Sequence, residues 1–193
     1  MENVRLLATP WWVNLVLLVP IGSYVAWRTK SLQLSPRQLA YAAIFGIAFG
    51  INEAVAVIYL RAAFGLLANT ATPAQVLAQL PGFFVMTEIS REAATIIMLI
   101  AASMLAARSF RERWALFLWM FAFWDIFYYV GLWLIIRWPP SLFAQDVLFL
   151  IPTPWIAQVW FPVLVSLLAI GAVALATNSN PSAHSHREGP RPQ

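Results

Sequence analysis

Glu53, Glu88, Arg91, Glu92 and Asp125 lie inside stretches that are otherwise apolar enough to cross a lipid bilayer. A charged side chain in hydrocarbon is costly, so such residues face a protein interior or a wet cavity and pair with one another. Glu88, Arg91, Glu92 and Thr95 follow i, i+3, i+4, i+7 spacing and therefore share one helix face. Asp125 has Tyr128 and Tyr129 at i+3 and i+4, where a phenol reaches the carboxylate. Asn52 and Tyr59 accompany Glu53, and Asn14 and Gln158 are further polar candidates. Four carboxylates against one guanidinium leave an excess of three negative charges if all ionise. A low dielectric opposes that state, so the cluster calls for bound protons, a cation or an amine-bearing ligand.

The chemistry open to this set is limited by what is missing from it. No apolar span contains histidine, and the sequence has no cysteine. Haem ligation, histidine-based zinc hydrolysis and the Glu-x-x-His di-iron pattern are therefore unsupported, and no cofactor is expected. A metal on carboxylates alone would be a hard cation such as magnesium, calcium or manganese. No glycine-rich phosphate loop or serine–histidine pair occurs. His184 and His186 fall in a polar C-terminal stretch, which reads as solvated chain.

The elements that carry these residues are set by composition. Of the 193 residues 61% are hydrophobic and 10% charged, with mean hydropathy +0.73, which places the chain among polytopic membrane proteins. The expected fold is all-α, a bundle of five transmembrane helices over about 11–27, 39–60, 82–106, 114–136 and 155–176. Trp27-Arg28 reads as an interfacial stop, so the first span is expected to stay uncleaved. Residues 177–193 are expected to form a disordered cytoplasmic tail.

Of the basic residues, Arg28, Lys30, Arg37, Arg108, Arg111, Arg113, Arg187 and Arg191 fall on one side of this topology. Arg5, Arg61 and Arg137 fall on the other, so the positive-inside rule gives an outside N-terminus and a cytoplasmic C-terminus. Lipid is the expected surrounding and the bacterial cytoplasmic membrane the expected location. A basic face for nucleic acid is lacking.

At about 1.5 Å rise per residue, Glu53, Glu88, Arg91, Glu92 and Asp125 all lie roughly 9–16 Å below the outer boundary. Three helices thus contribute to one polar layer. Small residues at Ala42, Gly46, Gly50 and Ala54 repeat every fourth position on the second span, a stripe suited to close helix contact beside Glu53. Pro20 and Pro162 are expected to kink the first and fifth spans. Pro73–Leu80 reads as a short interfacial helix, and residues 138–154 as an interfacial stretch or one folding back over the bundle.

The leading functional expectation is binding or translocation of a proton, cation or small polar ligand. The expected site is Glu53, Glu88, Arg91, Glu92, Asp125, Asn52, Tyr128 and Tyr129. Two other readings stay open. One is a membrane enzyme using paired carboxylates on a lipid or isoprenoid. The other is an accessory or scaffold subunit whose charges form a structural salt-bridge network. The small size suits a homo-oligomer or a larger membrane complex.

Overall fold

The computed structural model describes residues 7–29, 31–65 and 81–178. The expected interfacial helix at 73–80, Lys30 and the tail from 179 onward lie outside the described residues.

The chain begins with a 3-10 helical segment, Trp11–Leu17, continued by α1, Leu18–Trp27. Asn14 serves locally here, accepting from the Ala8 N–H at 3.0 Å and donating to the Ala8 and Trp11 carbonyls. Pro20 lies just beyond the change from 3-10 to α geometry, where its missing N–H costs least. Helix α2 spans Pro36–Ala63 and starts with a full capping box, Ser35 and Gln38 satisfying each other's backbone N–H groups. Helix α3 spans Gly82–Ala106, and α4 spans Phe110–Ile136 with Ser109 accepting from the Glu112 N–H as its cap. After α4 come strands β1, Gln145–Phe149, and β2, Trp155–Gln158, and then α5, Trp160–Asn178.

Helices α2, α3, α4 and α5 are long and apolar enough to cross a membrane, so the chain is a multi-pass membrane protein. Their outer faces carry exposed large apolar residues such as Tyr41, Ile44, Ile97, Leu105 and Leu167, the surface a bilayer covers.

The fold is mostly helical, and the expected all-α bundle is modified by one β1–β2 hairpin. The strands pair antiparallel with Asp146 opposite Ala157, and Thr9 joins the edge through paired backbone bonds of 2.9 Å with Ile156. Residues 155–158, expected as the start of the fifth span, belong to β2, so α5 begins at Trp160. Pro162 therefore sits in a first helical turn, where proline fits without a kink. The hairpin folds back over the bundle and lays Phe149 against the ring of Trp124. Its backbone groups find partners within the protein: Val159 N–H donates to Ala144 and Trp160 N–H to Leu142, at 3.0 and 2.8 Å.

Helix α4 is the centre of the bundle, half buried along its apolar stretch and packed against α2, α3 and α5. The small stripe of α2 explains the closest of these contacts. Ala42, Gly46, Gly50 and Ala54 are all buried with Glu53. A Cβ on Gly46 would lie 2.6 Å from the Met120 carbonyl oxygen, and one on Gly50 would press on the backbone at Trp124 and Tyr128. Trp119 of α4 adds a bond to α2, donating its indole N–H to the Leu39 carbonyl at 2.9 Å.

The basic segments gather at one end of this bundle. Leu32 N–H bonds the Ala176 carbonyl at 3.0 Å, and the Gln38 side chain bonds the Ala106 carbonyl at 3.0 Å. These bonds bring the α1–α2 connection, the end of α3 and the end of α5 together. The hairpin and the end of α2 occupy the opposite end.

Candidate functional site

Beneath the hairpin lies a cavity of about 250 Å³. The close α2–α4 contact places Glu53 on one wall, with Tyr128 and Asp125 on the adjoining wall of α4. The polar stripe of α3 supplies Glu88, Arg91, Glu92 and Thr95, and the hairpin roofs the space with Asp146, Leu148 and Leu150.

Arg91 is the link between helices. Its guanidinium forms ion pairs with Glu53 of α2 and Glu88 of its own helix, and its Nε–H also donates to Glu88 at 3.1 Å. Two carboxylates thus share one cation, as the spacing of the stripe allows.

Glu92 makes a different connection. Both its carboxylate oxygens accept from the Leu150 backbone N–H, at 2.9 and 3.2 Å. The stripe therefore holds Arg91 toward α2 and Glu92 toward the hairpin, one residue apart. Asp125 accepts from the Ser166 hydroxyl at 2.8 Å, which ties α4 to α5. The hydroxyl of Tyr129 does not serve Asp125; it donates to Asp146 at 3.1 Å. Tyr128 lines the cavity with its ring 4.9 Å from that of Tyr129.

Seven of the eight expected site residues line this one cavity: Glu53, Glu88, Arg91, Glu92, Asp125, Tyr128 and Tyr129. Asn52 does not. It is exposed, because one residue's rotation of about 100° carries it off the buried face that Glu53 occupies. Tyr59 is also turned outward at 72% exposure. Gln158 is buried but bonded to the indole of Trp160 at 2.7 Å, a local support of the hairpin end.

Two residues that border the cavity were not among the expected site residues. Asp146 belongs to a segment read as interfacial, and it is buried under the hairpin. Burial pushes its carboxyl from 3.8 up to about 6, against the opposing pull of Arg61 and the Tyr129 hydroxyl. Arg61, near the end of α2, lies over the ring of Trp138 with its guanidinium carbon 4.1 Å from the ring centre. The signals for both were present: a β-prone run bounded by prolines for Asp146, and for Arg61 a position two turns beyond Glu53 on the same helix.

With these additions the cavity is bordered by five carboxylates and two guanidinium groups. Glu92, Asp125 and Asp146 have no salt-bridge partner among the described residues. No three metal-binding side chains gather into a ligand set among the described residues. The rest of the lining is largely aromatic and aliphatic. Two of its members, Trp124 and Trp155, keep buried indole N–H groups without an acceptor among the described residues. Such a wall suits a ligand that is apolar over most of its surface and polar at a few points.

Comparison with protein-family models, with curated proteins and with solved structures found no match to this chain.

Proposed function

We propose that this protein binds a proton, cation or small polar ligand in the cavity beneath the hairpin and passes it across the membrane. One observation carries the reading. Carboxylates from α2, α3, α4 and the hairpin border a single cavity in which acids outnumber guanidinium groups. An intramembrane acid excess of this kind is stabilised by taking up positive charge.

The membrane arrangement that goes with this function has five spans. The segment Trp11–Trp27 is short in residues, but its 3-10 half rises faster. Seven residues at about 2.0 Å and ten at about 1.5 Å reach about 29 Å, close to the hydrocarbon thickness. The clustering of Arg28, Arg37, Arg108, Arg111 and Arg113 at one end supports a cytoplasmic face there. The N-terminus and the cavity then lie toward the outside of a bacterial inner membrane. A homo-oligomer or a larger complex would complete a path that one small bundle forms only in part.

A structural role for part of the cluster is favoured by the Arg91–Glu53 ion pair, which ties α3 to α2. That role is compatible with the first, since Glu92, Asp125 and Asp146 stand outside it. The test is flux in proteoliposomes. Proton or cation movement down an imposed gradient is expected for the wild type and is expected to be lost in Asp125→Asn and in Glu53→Gln. Equal flux in the wild type and both variants would overturn the proposal.

A further inference from the structure

We propose that the ligand of this cavity is an organic ammonium cation with an apolar, ring-sized body. The inference rests on the reading of the cavity as a ligand site and specifies the chemistry of what enters it.

The charge balance selects a cation. Arg91 pairs with Glu53 and Glu88, and Arg61 is seated over Trp138, so two guanidinium groups face five carboxylates. The acids that remain, Glu92, Asp125 and Asp146, are held by a backbone N–H, a serine hydroxyl and a tyrosine hydroxyl respectively. Neutral donors of this kind orient a carboxylate without cancelling its charge. A further anion would add to the charge these acids carry when ionised, whereas a monocation takes the place of the protons that otherwise neutralise them.

The shape of the donor set argues against a bare divalent ion. Calcium and magnesium take about six or more oxygen ligands, most of them converging on one point. Here the carboxylates are spread around the wall, and no three of them form a metal-binding group among the described residues. An organic ammonium group needs a single carboxylate and can use aromatic faces for the rest of its shell.

The wall provides such faces. Trp124, Trp138, Trp155, Tyr128 and Tyr129 all border the cavity. One of them already carries a cation, since Arg61 is seated over Trp138 at 4.1 Å. That contact is an intramolecular instance of the recognition we infer. Trp124 is only 7% exposed, and its buried indole N–H has no acceptor among the described residues. A volume of about 250 Å³ accommodates one substituted ring with its ammonium head.

The test is equilibrium binding to the full chain in lipid nanodiscs. It compares benzyltrimethylammonium with neutral benzyl alcohol and anionic phenylmethanesulfonate, read by calorimetry and by tryptophan fluorescence. The cation is expected to bind at least about tenfold more tightly than either of the others, a preference of about 1.4 kcal/mol. That preference is expected to disappear in Asp125→Asn/Asp146→Asn. The wild-type comparison needs no variant to fold. Equal affinity for all three probes, preference for the anion, or no binding of the cation at millimolar concentration each overturns the inference. Absent cation binding combined with acid-dependent flux would leave translocation standing, with a proton or inorganic ion as cargo. Selective cation binding without flux would support the ligand class and remove translocation.

Discussion

Replacing Gly46 by alanine probes the contact that sets the geometry of the site. The added Cβ would lie 2.6 Å from the Met120 carbonyl oxygen and 2.9 Å from the Phe123 Cβ. Ordinary contact starts at 3.4 Å, so α2 and α4 must part by about 0.8 Å at that level. Overpacking of this kind costs about 1–3 kcal/mol. Alanine's better helix propensity returns about 0.5–1 kcal/mol, leaving a net loss of up to about 2.5 kcal/mol. Gly171 on α5 is the matched control, because a Cβ there meets nothing within 4 Å among the described residues. Gly171→Ala keeps only the propensity gain, so the two variants should move in opposite directions. Reversible unfolding in mixed micelles titrated with dodecyl sulfate measures both. Gly46→Ala matching or exceeding the stability of Gly171→Ala would falsify the close-contact argument. Glu53 lies about two turns further along the same helix, so the loosened contact should also weaken cation binding in Gly46→Ala but not in Gly171→Ala.

Arg91→Met strands two carboxylates and should cost about 3–5 kcal/mol in the same unfolding assay. Adding Glu53→Gln and Glu88→Gln to it should recover most of that loss, and no recovery would refute the shared-cation picture. Glu92→Leu removes the acceptor of the Leu150 N–H and should speed hydrogen exchange there, whereas Glu92→Gln keeps an acceptor and should not. Equal exchange in both variants would rule out Glu92 as the anchor of the hairpin. Asp146 holds its proton more tightly in the folded state, at about 6 against 3.8. Its contribution therefore favours the fold below about 4 and declines as pH rises to about 6. Asp146→Asn should reduce the fall in stability across that window, and an unchanged slope would contradict the burial of a titrating carboxyl.

What could be read in advance follows from what the membrane does to sequence signals. Spans and intramembrane charges are legible because hydrocarbon penalises both short apolar runs and isolated ions. The i, i+3, i+4 spacing of Glu88, Arg91 and Glu92 likewise fixed a common face, and the four-residue stripe of α2 fixed which side of that helix is buried. The β1–β2 hairpin was hidden because a membrane chain is apolar throughout, so Val147-Leu-Phe and Trp155-Ile look no different from the adjoining spans. Only the prolines at 139, 140, 152 and 154 marked it off, by bounding two β-prone runs. With the hairpin unseen, Asp146 had no place in the polar layer and the partner of Tyr129 was misassigned. Asn52 was misplaced for a simpler reason: polarity beside a buried acid does not determine the face, and a single residue's rotation is enough to leave it.

If the cavity carboxyls are the working groups of this protein, capping them must stop its flux. Reconstituted wild-type protein is treated with dicyclohexylcarbodiimide, which caps protonated carboxyls in apolar surroundings. Flux is recorded on the same vesicles, and the modified residues are located by mass spectrometry. The account predicts modification at Asp125, Glu92 or Asp146 and a loss of flux in proportion to it. Full flux in protein modified at those residues would contradict it.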